Sequence, residues 1–288
     1  MDMYQLNQIP FNAQIRKYLR RLTFGKNIYC PVCITSHVMV DHERYRCKRC
    51  RIRFSLTSHT WLNNMKLPLR QFWLLLYCWT IQIPVKQAST LSGLSDVTIY
   101  EWYERLRRHL PADEQILNHL IQLDEAYFGG RQGKALFMAK EVGTRKLAYQ
   151  LVPTSWVTRE TAAWFLEENV YPYAKLNTDG ASIYKGIGKW WPVYHVRDIH
   201  RRFEFAHTSE IEGMFGVMRT FIRRMYHHVT PDKLAEFICE FCYRFSHPEM
   251  YGSPRHYLEN SLFIVQVVRR TLKKLLLTKC IINCTFKT

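Results

Sequence analysis

The sequence predicts an α/β protein with a mixed sheet, preceded by two small modules, and three observations carry that reading. From Leu120 onward, three strand-like stretches, a helix, a further strand and then helices follow one another. Ahead of them, Cys30, Cys33, Cys47 and Cys50 stand as two Cys-x-x-Cys pairs. Between the two regions, residues 66–110 read as helical with a break at Gly93. The expected organisation is a basic N-terminal arm (1–23), a ribbon (24–56), a helical module (57–112), an α/β core (113–250) and a tail of unassigned role (251–288).

Each cysteine pair can place two thiolates on one tight turn, and two such turns brought together form the tetrahedral sulfur cage that zinc prefers. The 13 residues between Cys33 and Cys47 suit a hairpin joining the two knuckles. From Arg44 to Arg53 the chain carries Arg44, Arg46, Lys48, Arg49, Arg51 and Arg53 and no acid, a surface suited to a polyanion. A ribbon that only props up the fold, or four unrelated reduced cysteines, are the plainer alternatives. The net charge is +17, and +11 of it falls within residues 1–110, where phosphates would be gripped.

The totals exclude other classes. A hydrophobic content of 47% is too high for a disordered chain. The run Phe72–Ile83 is about half the length that spans a bilayer, and no leader-like stretch opens the sequence, so no membrane partner is expected. Nine cysteines, an odd number with four assigned to zinc, fit a reducing compartment: the cytoplasm, beside the nucleoid.

In the helical module, Pro84 suits a helix start, and Ser95 is a candidate N-cap for a helix carrying Ile99, Trp102, Leu106 and Leu110 inward. Thr98, Glu101, Arg105 and Arg108 are left facing outward. The pattern fits a helix-turn-helix that reads DNA or an ordinary helical hairpin. In the core, strands are expected over Ile121–Tyr127, Ala135–Val142, Lys146–Val152, Lys175–Asn177 and Val193–Val196. Thr158 opens a helix to Asn169 with Trp164 and Phe165 on its inner side. Two helices are expected near 209–225 and 230–245, the second opened by Thr230-Pro231. Cys239 and Cys242 form a third Cys-x-x-Cys, but within the apolar stripe of that last helix, where packing is the simpler role.

Three acids are placed for chemistry. Asp124 lies in the first core strand, Asp179 follows a later one, and Glu212 sits in the first turns of the 209–225 helix. Singly, each strand-end aspartate reads as a turn or cap residue. As a set, two aspartates and a glutamate suit two divalent cations, Mg2+ or Mn2+, of the kind that phosphodiester transfer uses. Glu212, Gly216, Arg219 and Arg223 share one face of that helix, beside the apolar stripe of Ile211, Met214, Phe215, Met218, Ile222 and Met225. Glu212 and Arg219 stand about 10 Å apart along the axis, too far for a helix ion pair, which suits a metal at one end and a phosphate at the other. A solvated charged face is the alternative.

The motifs together resemble a known family. The basic ribbon Cys30–Ser55, then Asp124-Glu125-Ala126-Tyr127-Phe128-Gly129-Gly130, Asn177-Thr178-Asp179-Gly180, His207-Thr208-Ser209-Glu210-Ile211-Glu212-Gly213 and Tyr226-His227-His228-Val229 are similar to bacterial insertion-sequence transposases. The group is the zinc-ribbon DDE group related to the Merlin transposons, and the likeness covers residues 24–247. The resemblance implies an RNase H-like core in which Asp124, Asp179 and a third residue, Asn or Glu, bind two catalytic ions, with structural zinc in the ribbon. Ser209 stands where the Asn type requires Asn. Glu212 is then the expected third acid and Glu210 its competitor, because Arg219 matches the group's basic residue seven positions on, whereas Val217 follows Glu210 at that distance. Ser246-His247 depart from the group's frequent Asn.

The function implied is binding of terminal inverted repeats in double-stranded DNA, followed by cleavage and strand transfer by a dimer or larger assembly. Arg219, Arg223, Arg46, Lys48, Arg49 and Arg51 are the expected phosphate contacts. An inactive DNA binder and an RNase H-like nuclease that cuts without joining are the other readings. His207, His227, His228 and the basic, apolar segment Val267–Lys279 are lesser candidates for DNA contact.

Overall fold

The computed structural model describes residues 9–262 except 114, 130–132, 198–207 and 228. Among these residues the chain forms two compact units, one running to Pro111 and resuming at Glu249, the other spanning Ala112–Pro248. Gly130, His207, His228 and Val267–Lys279 lie outside the described residues.

The first unit opens with α1 (Asn12–Phe24). The basic arm expected over residues 1–23 is helical from Asn12 onward and is docked: Ile15 and Leu19 are buried, and Tyr18 packs edge-on against Trp73. A three-stranded antiparallel sheet follows, β1 (Val38–Asp41), β2 (Arg44–Cys47) and β3 (Arg53–Phe54). Phe24, Tyr45 and Phe54 pack around the cysteines as a small aromatic core. Three helices come next: α2 (Leu69–Thr80), α3 (Val85–Ser92) and α4 (Asp96–Arg108).

The α3–α4 turn forms as the sequence dictates. Gly93 ends α3 in the left-handed region (φ 69°), which costs glycine little. The Ser95 side chain then caps α4 by accepting from the Thr98 amide. Pro84 precedes the first turn of α3 rather than joining it. Arg105 does not face outward as expected: its guanidinium donates to the carbonyl oxygens of Trp61 and Asn63 and lies over the Trp102 ring. A long arginine can bury its stem and still satisfy its head on backbone oxygens, which helical spacing alone does not reveal. The described end of the chain, α8 (Pro254–Ser261), completes this unit through Tyr257, whose hydroxyl donates to the Leu106 carbonyl.

The second unit is a five-stranded mixed sheet. Its strands are β4 (Leu120–Phe128), β5 (Lys134–Glu141), β6 (Leu147–Pro153), β7 (Lys175–Thr178) and β8 (Tyr194–Arg197), in the spatial order β6-β5-β4-β7-β8. The first three pair antiparallel, and β7 and β8 are added parallel. Helix α5 (Arg159–Asn169), capped by Thr158, supplies the crossover between β6 and β7. It buries Ala162, Phe165 and Leu166 against Ile121, Leu123, Phe137 and Ala139. Trp164 was expected inward with Phe165 but is 40% exposed, since one step along a helix turns a side chain by about 100°.

Helix α6 (Ser209–Tyr226) packs against β4 and β5, and α7 (Leu234–Ser246) packs against α6 and β6. Phe221 rather than Ile222 completes the buried stripe of α6. Helix α7 starts four residues later than Thr230-Pro231 suggests, because Thr230–Lys233 form a separate turn. Cys242 is buried in the α7 stripe, and no metal-binding group includes it or Cys239 among the described residues. Two buried polar groups tie these helices: Glu240, fully buried, accepts from the Tyr226 hydroxyl and from Arg244 at 2.8 Å. Glu240→Ala should therefore cost about 3–5 kcal/mol in urea denaturation, because it leaves the Arg244 cation buried without its carboxylate.

Candidate active site and metal centres

The ribbon cysteines converge. Cys30, Cys33, Cys47 and Cys50 bring their sulfurs within 4.8 Å of one another, with Sγ–Sγ separations of 3.5, 3.5 and 3.7 Å for three of the pairs. Thiolates about 2.3 Å from a tetrahedral zinc stand ~3.8 Å apart, so the cage fits that ion. Backbone geometry favours the thiolate form at Cys47, whereas burial pushes the Cys30 thiol up to about 12. The amides of Arg49 and Cys50 donate to Cys47 Sγ, and although enclosure opposes ionisation, these donors bring the Cys47 thiol down to about 6. Arg44, Lys48, Arg49 and Arg51 are exposed around the cage. Arg46 is half-buried, and Arg53 is held by Asp41 at 2.8 Å.

In the core, sheet register brings two distant acids together. β4 and β7 run parallel with Gln122 opposite Asn177 and Leu123 opposite Thr178. β7 ends at Thr178, so the next position sets Asp179, just past that end, beside Asp124 in the middle of the longer β4. Strands in a sheet lie ~4.8 Å apart. Carboxylate oxygens of Asp124, Glu125 and Asp179 indeed lie within 4.8 Å of one another. Asp179 also accepts from the Ala181 amide at 2.9 Å, which fixes the turn after β7.

Glu125 belongs to this cluster although the sequence did not single it out. It projects to the α5 side of the sheet, where the hydroxyl of the fully buried Tyr184 donates to it. Its adjacency to Asp124 masked it, since neighbours along a strand point to opposite faces. Because β7 stops opposite Leu123 while β4 runs on to Phe128, the flank of β4 at Asp124 and Glu125 is left open beside Asp179, and both carboxylates reach that point. Tyr184, 59 residues away, gave no sign of its partner.

Glu212 and Glu210 are separated by their contacts. Lys140, 5% exposed, donates to the Glu210 carboxylate, so Glu210 is engaged elsewhere. Glu212 accepts from the Thr208 hydroxyl at 3.0 Å and stands outside the tight carboxylate group, yet its charge is felt at Asp124. Asp124 is pushed up to about 7, first by burial and then by the charges of Glu125, Asp179 and Glu212, against one stabilising bond from the Glu125 amide. Three clustered acids with a fourth nearby repel unless a cation joins them. Arg219 and Arg223 are exposed on the same flank of α6 as Glu212 and Gly216.

Residues 116–246 match the family model of the ISXO2-like transposase domain. This stretch is similar to the transposase domains of that family. The resemblance to insertion-sequence transposases is thus borne out across the core, and with it the RNase H-like α/β fold. Such domains belong to DNA-acting enzymes. No curated protein matches the chain. Among the described residues, no helix is long and apolar enough to cross a membrane.

The raised Asp124 carboxyl has a signed consequence for stability. The folded state holds this proton up to about pH 7 and the unfolded state only to about pH 4, so folding stability falls as pH rises through that window. Zinc-loaded protein in magnesium-free buffer should lose stability from pH 5 to pH 8. Asp124→Asn should remove most of that loss and be more stable than the parent at pH 8 by roughly 1–3 kcal/mol in urea melts, with no gain at pH 4.

Proposed function

We propose that this protein is a DNA transposase that binds the terminal inverted repeats of its own element, cleaves there and transfers the freed strand to target DNA. The juxtaposition of Asp124 and Asp179 by parallel register, with Glu212 near enough to feel, is the observation that carries the reading. Asp124, Asp179 and Glu212 would hold the divalent cations, Mg2+ or Mn2+, with Glu125 adding to the negative potential. Two such ions, when bound, would activate the attacking oxygen and stabilise the departing one.

The remaining work falls to the chain. Asp124 must shed its proton for the centre to assemble, so activity should rise with pH through about 7. Arg219 and Arg223 would contact phosphates along the strand that leads to Glu212. Lys48, Arg49, Arg51 and the less accessible Arg46 would grip the backbone of the element's end, and the α3–α4 pair would read its sequence. In the first step water attacks a phosphodiester, giving a 3′-hydroxyl and a 5′-phosphate. In the second, that hydroxyl attacks a target phosphodiester and displaces its 3′ oxygen as a new hydroxyl. Both ends must be processed together, so the working form would be a dimer or larger assembly on DNA, at the nucleoid.

With magnesium and labelled terminal-repeat DNA, the protein should both nick and join. Asp124→Asn should reduce both activities by at least about 10³-fold, roughly 4 kcal/mol of barrier, and leave repeat binding intact. Cutting without joining would favour a nuclease, and binding without cutting an inactive reader. Among the glutamates, Glu212→Gln should match Asp124→Asn in its loss, whereas Glu210→Gln should cost about tenfold or less.

A further inference from the structure

Helix α6 does not cap itself in the ordinary way. Thr208 occupies the N-cap position, but its side chain makes no capping bond to the backbone; its hydroxyl donates to Glu212 instead. The first-turn amide of Ile211 needs an acceptor from elsewhere. The sheet supplies it: Gln122 Oε1 accepts from the Ile211 amide at 2.9 Å. Gln122 is 4% exposed and lies opposite Lys140 in the β4–β5 register, on the Asp124 face. Lys140 holds Glu210.

Two neighbouring sheet residues therefore grip consecutive residues of α6, one through backbone and one through side chain, immediately before Glu212. A single bond would leave the helix free to roll about it; a second fixes its azimuth. Side chains two apart on a helix point ~200° away from each other, so holding Glu210 toward Lys140 turns Glu212 away from that lysine. Burying an amide and an ammonium under a helix is costly compared with an apolar pair of the same size. Polar residues at both positions are explained if the orientation of the helix matters more than its adhesion.

We propose that Gln122 and Lys140 are positioning residues that orient the first turn of α6 so that Glu212 faces Asp124. This rests on the reading of Glu212 as a cation ligand. Manganese affinity of the full-length, zinc-loaded protein, measured by titration calorimetry, tests it. Gln122→Met keeps the length of the side chain but removes the acceptor, and should weaken manganese binding about tenfold, as losses of supporting groups around metal ligands do. Lys140→Met should act likewise through the other grip. Both variants should retain zinc and the parent's helical circular dichroism. On a Glu212→Gln background, neither change should weaken manganese binding further. If Glu212→Gln weakens binding and Gln122→Met and Lys140→Met do not, the positioning role is wrong and the ligand reading stands. Equal losses in both backgrounds would also overturn the positioning role. If Glu212→Gln itself changes nothing, the ligand reading fails and the positioning role with it.

Discussion

The parallel pairing of β4 with β7 is the constraint on which the rest of this core depends. Asp124 and Asp179 are far apart in sequence, and only the alignment of Leu123 with Thr178 sets them side by side. That alignment is enforced by burial. Ile121, Leu123 and Leu176 enter the core beneath α5, while Gln122 and Asn177 turn to the opposite face. Slipping β7 by one residue would exchange these faces, driving Asn177 into the α5 core and Leu176 out of it. On the far side of β7, Thr178 makes a 2.9 Å bond to His195 of β8, which pins the same end of the strand. The hydrophobic core therefore does more than stabilise: it selects the register that creates the acidic pair.

The acidic pair is a burden on the fold when no cation is present. Burial and three neighbouring charges hold the Asp124 proton well above the usual carboxylate range. The surrounding structure accepts that burden because each acid is fixed by an independent element: Asp179 by its turn, Glu125 by Tyr184, and Glu212 by Thr208. Preorganisation of this kind costs stability in the empty protein and lowers the cost of assembling the centre when ions arrive. The ribbon solves the opposite problem. Its core of Phe24, Tyr45 and Phe54 is too small to stand by itself, and four converging sulfurs can supply what the apolar contacts lack.

Much of this was legible in the sequence, for reasons that differ by element. The strands from Leu120 to Pro153 and the helix after Thr158 follow from alternation, turn residues and caps, which are local signals. The Cys-x-x-Cys spacing was equally local. What escaped was decided by tertiary contact. Arg105 looked exposed by helical spacing but finds carbonyl oxygens near Trp61, and the N-terminal helix looked like an arm until Trp73 met Tyr18. Glu125 was hidden because strand alternation puts it on the face away from Asp124, and only the early end of the neighbouring β7, opposite Leu123, lets the two converge. The choice between Glu210 and Glu212 rested on the spacing to Arg219; Lys140, seventy residues upstream of Glu210, adds a separate reason that no local pattern contains.

The central claim is that acids from β4, β7 and α6 form one cradle for two divalent ions. Anomalous scattering from crystals of the zinc-loaded protein soaked in manganese tests it most directly. Two manganese peaks in contact with Asp124 and Asp179, at least one of them also touching Glu212, are the predicted result. A map with metal at the four cysteines and none between Asp124 and Asp179 would contradict the account.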